Sequence, residues 1–167
     1  MSGARYLLLL AVVTGAIAGC AQGPSAELAA WASDVDQRLV SAERQRAAGD
    51  LDGARATLAA AVASPVPEPD APLALALREN LWFALGRVEL EAGEPEAALS
   101  AAERGLRARA GGADVTVFTA SLHALRALAC EALGRPDDAI AAWEAAQAIH
   151  LRLYDRALAA PSEEPPR

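Results

Sequence analysis

Three short strings, each opening on a glycine, recur along the chain: Gly49-Asp50-Leu51-Asp52-Gly53-Ala54, Gly93-Glu94-Pro95-Glu96-Ala97-Ala98 and Gly134-Arg135-Pro136-Asp137-Asp138-Ala139. They lie 44 and 41 residues apart. A repeat of this length means that one unit cannot bury its own apolar face and must stack on its neighbours. The apolar spacing on both sides of each string is helical. Trp31, Val35, Leu39 and Ala42 recur at i, i+4, i+8 and i+11, which gives one stripe. The only β-branched cluster, Val115-Thr116-Val117-Phe118, runs straight into a helical pattern.

Punctuation divides the chain into six helices. Ser25 caps the first, with Glu27 in its first turn, and Gly49-Asp50 ends it. Leu51–Ala63 forms the second, and the Pro-rich run Ser64–Pro69 cannot be helical. Pro72 opens the third, which runs to about Glu91. Pro95 opens the fourth, which fades at Gly111-Gly112. Asp114 caps the fifth, Gly134 closes it, and the sixth runs from Asp137 to Ala159. The expected fold is all-α: a right-handed stack of about three antiparallel helical hairpins with a long C-terminal helix. Aromatic residues are few and Ala is abundant, so the core is expected from close helix packing around Trp31, Trp82, Phe83, Phe118 and Trp143.

These hairpins resemble the tetratricopeptide repeat, a helix pair of 34 residues. In the second copy Trp82, Leu85, Gly86, Gly93, Ala98, Leu99 and Gly105 fall at the family's spacing. There Gly86 and Ala98 let two helices approach closely. The third copy keeps Gly134, Ala139, Ile140, Trp143 and Ala146, but places His123 and Arg126 where large apolar residues are usual. The first keeps Gly49, Leu51, Ala54, Leu58, Ala61 and Val62. The resemblance implies a concave groove, lined by the first helix of each pair, that binds a peptide. Carried over position by position, the groove is Asp36, Leu39, Glu43 and Arg46 in the first copy. It continues with Asn80, Phe83, Arg87, Leu90 and Glu91, then Ser121, Ala124, Leu128 and Glu131. Arg46 and Arg87 are the candidates to pair with an acidic ligand.

The N-terminus carries a second signal. Arg5 precedes Tyr6–Ala18, a run without charge. Such a run rises only about 20 Å as a helix, against a hydrocarbon core of roughly 30 Å, and suits a signal-peptide h-region. It ends in Ile17-Ala18-Gly19-Cys20, which resembles a bacterial lipobox. The resemblance implies cleavage before Cys20 and acylation of its sulfur and amino group, which would hold the chain on a membrane. Residues 1–19 are then the signal peptide, 20–24 the lipidated Cys and tether, 25–160 the helical domain and 161–167 a disordered tail. Ala21 in place of Asp points, by the sorting rule of enterobacteria, to the outer membrane facing the periplasm.

All 15 basic residues are Arg, against 22 acidic ones. An acidic chain excludes nucleic acid as a partner and adhesion to anionic lipid through its surface. With Cys20 acylated, Cys130 has no intramolecular partner and is expected to be a buried small hydrophobe. His123 and His150 are the only histidines and form no ligand pair. Neither a nucleophile elbow, a phosphate loop nor a C-x-x-C motif is present, so no catalytic residue, metal or cofactor is assigned. The expected function is a lipid-anchored envelope adaptor that binds another envelope protein, as assembly factors of secretion, pilus or outer-membrane complexes do. Two alternatives are a self-associating structural lipoprotein, contacting through Phe83 and Leu90, and a small-ligand-binding lipoprotein or enzyme accessory.

Overall fold

The computed structural model describes residues 23–109 and 114–159. It contains α1 (Ala26–Ala47), α2 (Leu51–Ala63), α3 (Pro72–Glu91), α4 (Pro95–Ala108), α5 (Val117–Ala132) and α6 (Pro136–Ala159). There is no strand among the described residues. The signal segment, Cys20 and residues 161–167 lie outside them. No described helix is long and apolar enough to cross a membrane.

Local chemistry sets most helix ends. Ser25 Oγ accepts the Leu28 N–H at 3.1 Å, and Asp50 Oδ1 accepts the Gly53 N–H at 2.9 Å. Pro72, Pro95 and Pro136 each open a helix, where their missing N–H costs nothing. The three turns are alike. Gly49, Gly93 and Gly134 have φ of 80°, 79° and 69°, a conformation that glycine adopts without steric cost. In each, the residue after the glycine donates its N–H to the carbonyl five positions back: Asp50 to Gln45, Glu94 to Glu89 and Arg135 to Cys130, all at 2.9 Å. This is the Schellman closure, and it returns the chain beside the helix it has just left.

Consecutive helices pack against each other throughout. In addition α1 touches α3 and α3 touches α5, whereas α6 touches α5 alone among the described helices. Small residues make these approaches possible. A Cβ on Gly86 would collide with a Leu125 methyl and lie 3.2 Å from Ala101 Cβ and 3.3 Å from the Ala98 carbonyl oxygen. On Gly105 it would meet both Leu122 methyls, at 2.7 and 2.8 Å, and Trp82 Cβ at 2.9 Å.

The core differs from expectation in its large residues. It is built from leucine and alanine, with Leu28, Leu58, Leu81, Leu122 and Leu125 wholly buried and Cys130 beside them. Of the five aromatic anchors only Trp31 is buried; Trp82, Phe83 and Phe118 are half-buried and Trp143 is exposed. Leucine and alanine fill most of the space between the helices. The buried Trp31 keeps a polar partner for its Nε1, Ser64 Oγ at 3.4 Å, and the exposed Trp143 donates to Glu131 Oε1 at 2.8 Å.

The fifth helix starts at Val117, and its cap is Thr116 rather than Asp114. Thr116 Oγ1 accepts the Phe118 and Thr119 N–H groups, while Thr119 Oγ1 accepts the Thr116 N–H at 3.0 Å. Asp114 instead offers its carbonyl to Arg109 and its carboxylate to Arg156 at 3.0 Å.

Gly105→Ala is expected to lower stability by about 1–3 kcal/mol, the usual cost of overpacking, with helicity retained. A urea denaturation midpoint equal to wild type would show that α3, α4 and α5 do not meet at this glycine.

Candidate functional site

The first helices of the three pairs, α1, α3 and α5, share one face, and two open clefts run along it. One, of about 400 Å³, lies between α1 and α3 and is lined by Asp36, Leu39, Val40, Glu43, Arg44, Asn80, Phe83, Ala84 and Arg87. The other, of about 330 Å³, lies between α3 and α5 and is lined by Phe83, Arg87, Leu90, Glu91, Ser121, Ala124, Leu125 and Leu128. Phe83 and Arg87 belong to both and form the ridge between them, the Arg87 guanidinium standing 5.8 Å from the centre of the Phe83 ring.

The structure therefore brings together Asp36, Leu39, Glu43, Asn80, Phe83, Arg87, Leu90, Glu91, Ser121, Ala124 and Leu128 from the expected groove. Two residues stand apart. Glu131 accepts the Trp143 indole N–H and so turns toward α6. Arg46 lines neither of the two clefts. Its Nη1 donates to both carboxylate oxygens of Glu91, at 2.9 and 3.0 Å, and its Nε donates to Glu43 at 2.9 Å.

These bonds change the electrostatic picture of the groove. Arg46 is not available to an acidic ligand, because Glu43 and Glu91 already hold it. Donating hydrogen bonds to Glu43 and then Glu91 raises its pKa, and accepting them from Arg46 in turn lowers that of Glu43. Arg87 lies 3.9 Å from Glu43 and from Glu91, within ion-pairing distance but beyond hydrogen-bond range. Its charge and that of Arg46 balance the two glutamates, and Asp36 and Arg44 line the first cleft as well, which leaves a groove of apolar floor and balanced, mixed charge.

The sequence pattern did not single out the residue that holds α3 and α5 in place. Glu79 has 0 % relative exposure, although it is ionisable. It accepts hydrogen bonds from Thr116 Oγ1 at 2.7 Å and Thr119 Oγ1 at 2.6 Å, and pairs with Arg109 Nε at 2.9 Å. One carboxylate thus joins the middle of α3, the end of α4 and the cap of α5. The available signal was weak: Glu79 is the middle of Arg78-Glu79-Asn80, a polar interruption of the third helix's apolar pattern between Leu77 and Leu81.

His123 is the other anomaly. Burial, and then the charge of Arg126, lowers its pKa from the ordinary value. Its Nδ1 and the Arg126 Nε are buried without a protein hydrogen-bond partner. No group of three or more His, Cys, Asp or Glu placed to hold a metal occurs among the described residues. Comparison with known proteins returned no matching family model, no matching curated protein and no matching solved structure.

Glu79→Ala leaves Arg109 and two threonine hydroxyls without their partner. The expected loss of stability is about 3–5 kcal/mol, as for breaking a buried ion pair from one side, read by chemical denaturation. A loss below about 1 kcal/mol would place this cluster with surface ion pairs rather than with the core.

Proposed function

We propose that this chain is a lipid-anchored adaptor of the bacterial cell envelope whose groove holds a segment of another envelope protein. In this proposal the three helix pairs form a right-handed tetratricopeptide-like stack, and α1, α3 and α5 supply its concave face. The observation that carries it is the pair of adjoining clefts on those three helices, sharing Phe83 and Arg87. Leu39, Phe83, Leu90 and Leu128 offer apolar purchase at successive points along the groove. The charges of Arg46 and Arg87 against Glu43 and Glu91 cancel, which favours a partner segment that contributes apolar side chains rather than a run of like charge. Arg87, on the ridge shared by both clefts, is the donor placed to fix its register. The lipobox-like Ile17-Ala18-Gly19-Cys20 supplies the membrane anchor. The tether to Ser25 is short, so the first helix pair would work close to the bilayer and on a partner that is membrane-bound or reaches the membrane.

Two measurements test the two halves separately. The chain is expected to incorporate labelled palmitate and to sediment with membranes, and Cys20→Ala to do neither. Absence of label on the wild-type chain would remove the anchor but not the groove. Affinity capture from native membranes after crosslinking should recover one dominant envelope protein. Phe83→Ala combined with Arg87→Ala should weaken that capture by roughly 2 kcal/mol or more, the scale of an interface hot spot, or roughly thirtyfold. Undiminished capture would move the binding site off the groove; recovery of the chain alone would replace the adaptor by a self-associating protein.

A further inference from the structure

The apolar residues of α6 do not all face α5. Ile140, Trp143, Leu151, Tyr154 and Leu158 are exposed. At about 100° per residue they fall within one stripe of about 80°, running some 27 Å along the helix at about 1.5 Å per residue. Gln147 is the polar residue within it.

The repeat shows that this face is unusual. The residue nine positions after each turn glycine is Leu58, Ala102 or Trp143. Their relative exposures are 1 %, 0 % and 40 %. The first two lie on helices with two helical neighbours: α2 is flanked by α1 and α3, α4 by α3 and α5. Among the described helices α6 has α5 alone. Among the described residues no helix covers this face of the last pair, and its surface is apolar.

Charge decides between occupants. Asp137, Glu144 and Asp155 project along one margin of the stripe by the same helical spacing, and Glu131 of α5 stands at the other, bonded to Trp143. Arg152 and Arg156 lie away from the stripe, and Arg156 is engaged with Asp114 at 3.0 Å. A second copy of this chain would set acidic margins against acidic margins, and an anionic bilayer would be repelled in the same way. We infer that the outer face of α6 docks an amphipathic helix of a partner protein, apolar on one side and flanked by Arg or Lys. The inference is independent of the groove and of the anchor.

Two synthetic helical peptides test it, with the same leucine stripe and with either Arg or Glu margins. Each is titrated calorimetrically into the purified full chain in a zwitterionic detergent, with detergent alone as blank. The Arg-margined peptide is expected to bind at least about tenfold more tightly than the Glu-margined one. Raised salt should narrow the gap. Leu151→Glu with Tyr154→Glu should abolish binding at an unchanged melting temperature, since both side chains are exposed. Equal affinity of the two peptides, or no binding by either, would overturn the inference. So would binding that survives the Leu151/Tyr154 change but is lost with Phe83→Ala, which would put the peptide in the groove. A dimer in sedimentation equilibrium that the same double change dissolves would give the stripe to a second copy. Flotation with phosphatidylglycerol vesicles lost on that change would give it to the membrane. Either result would overturn the inference.

Discussion

Everything in this molecule depends on how closely its helices approach. Gly86 lies against Ala98 and Ala101, and Gly105 receives Leu122 and Trp82, so that no Cβ fits at either glycine. Alanine at 98, 101, 102, 139, 142 and 146 extends the same close approach along α4 and α6. A side chain as small as these contributes little apolar area by itself, so the stabilisation comes from dense contact over long helices and from leucines seated between them. The same geometry explains why bulky aromatics are pushed outward. Phe83 thereby becomes the ridge of the groove.

Close packing without large side chains gives little control over how one helix pair is rotated against the next. Glu79 supplies part of that control. A buried carboxylate is costly unless every oxygen is satisfied; Glu79 Oε1 accepts the Thr119 hydroxyl and Oε2 the Thr116 hydroxyl, and the Arg109 guanidinium at 2.9 Å balances the charge. Its three partners come from the end of α4 and the start of α5, on either side of the connection between the second and third pairs. That is also where α3 and α5 must be aligned to form their shared cleft, so the clasp and the groove are two consequences of one alignment. The exposed ion pair Arg46–Glu91 and the half-buried pair Arg55–Glu89 link the first and second pairs in the same sense, nearer to solvent and with less effect.

The helices were legible because their ends are set by neighbours within a few residues. Ser25, the prolines at 72, 95 and 136 and the glycines at 49, 93 and 134 act through their own backbone, and each does so where the pattern places it. Most of the groove face was legible too, since the period of the helix puts Leu39, Glu43, Phe83, Arg87 and Leu90 on one side. The failures share a cause. Thr116 displaced Asp114 as the cap because its hydroxyl also reaches Glu79, 37 residues earlier in the chain. Arg46 is committed because Glu91 lies beside it, 45 residues on. Glu131 left the groove because an indole on α6 was in reach.

By itself, then, the amino-acid sequence determined six helices and, the start of α5 apart, where they begin, that three of their turns rest on glycine, and which stripe of each is apolar or small. All of that follows from backbone preference and helical period, which operate over a handful of residues. Tertiary structure decided which charges neutralise each other, which aromatics are buried and which apolar stripe is left uncovered. Those outcomes depend on the distance and rotation between helices, and they are set jointly by residues tens of positions apart that no local pattern pairs.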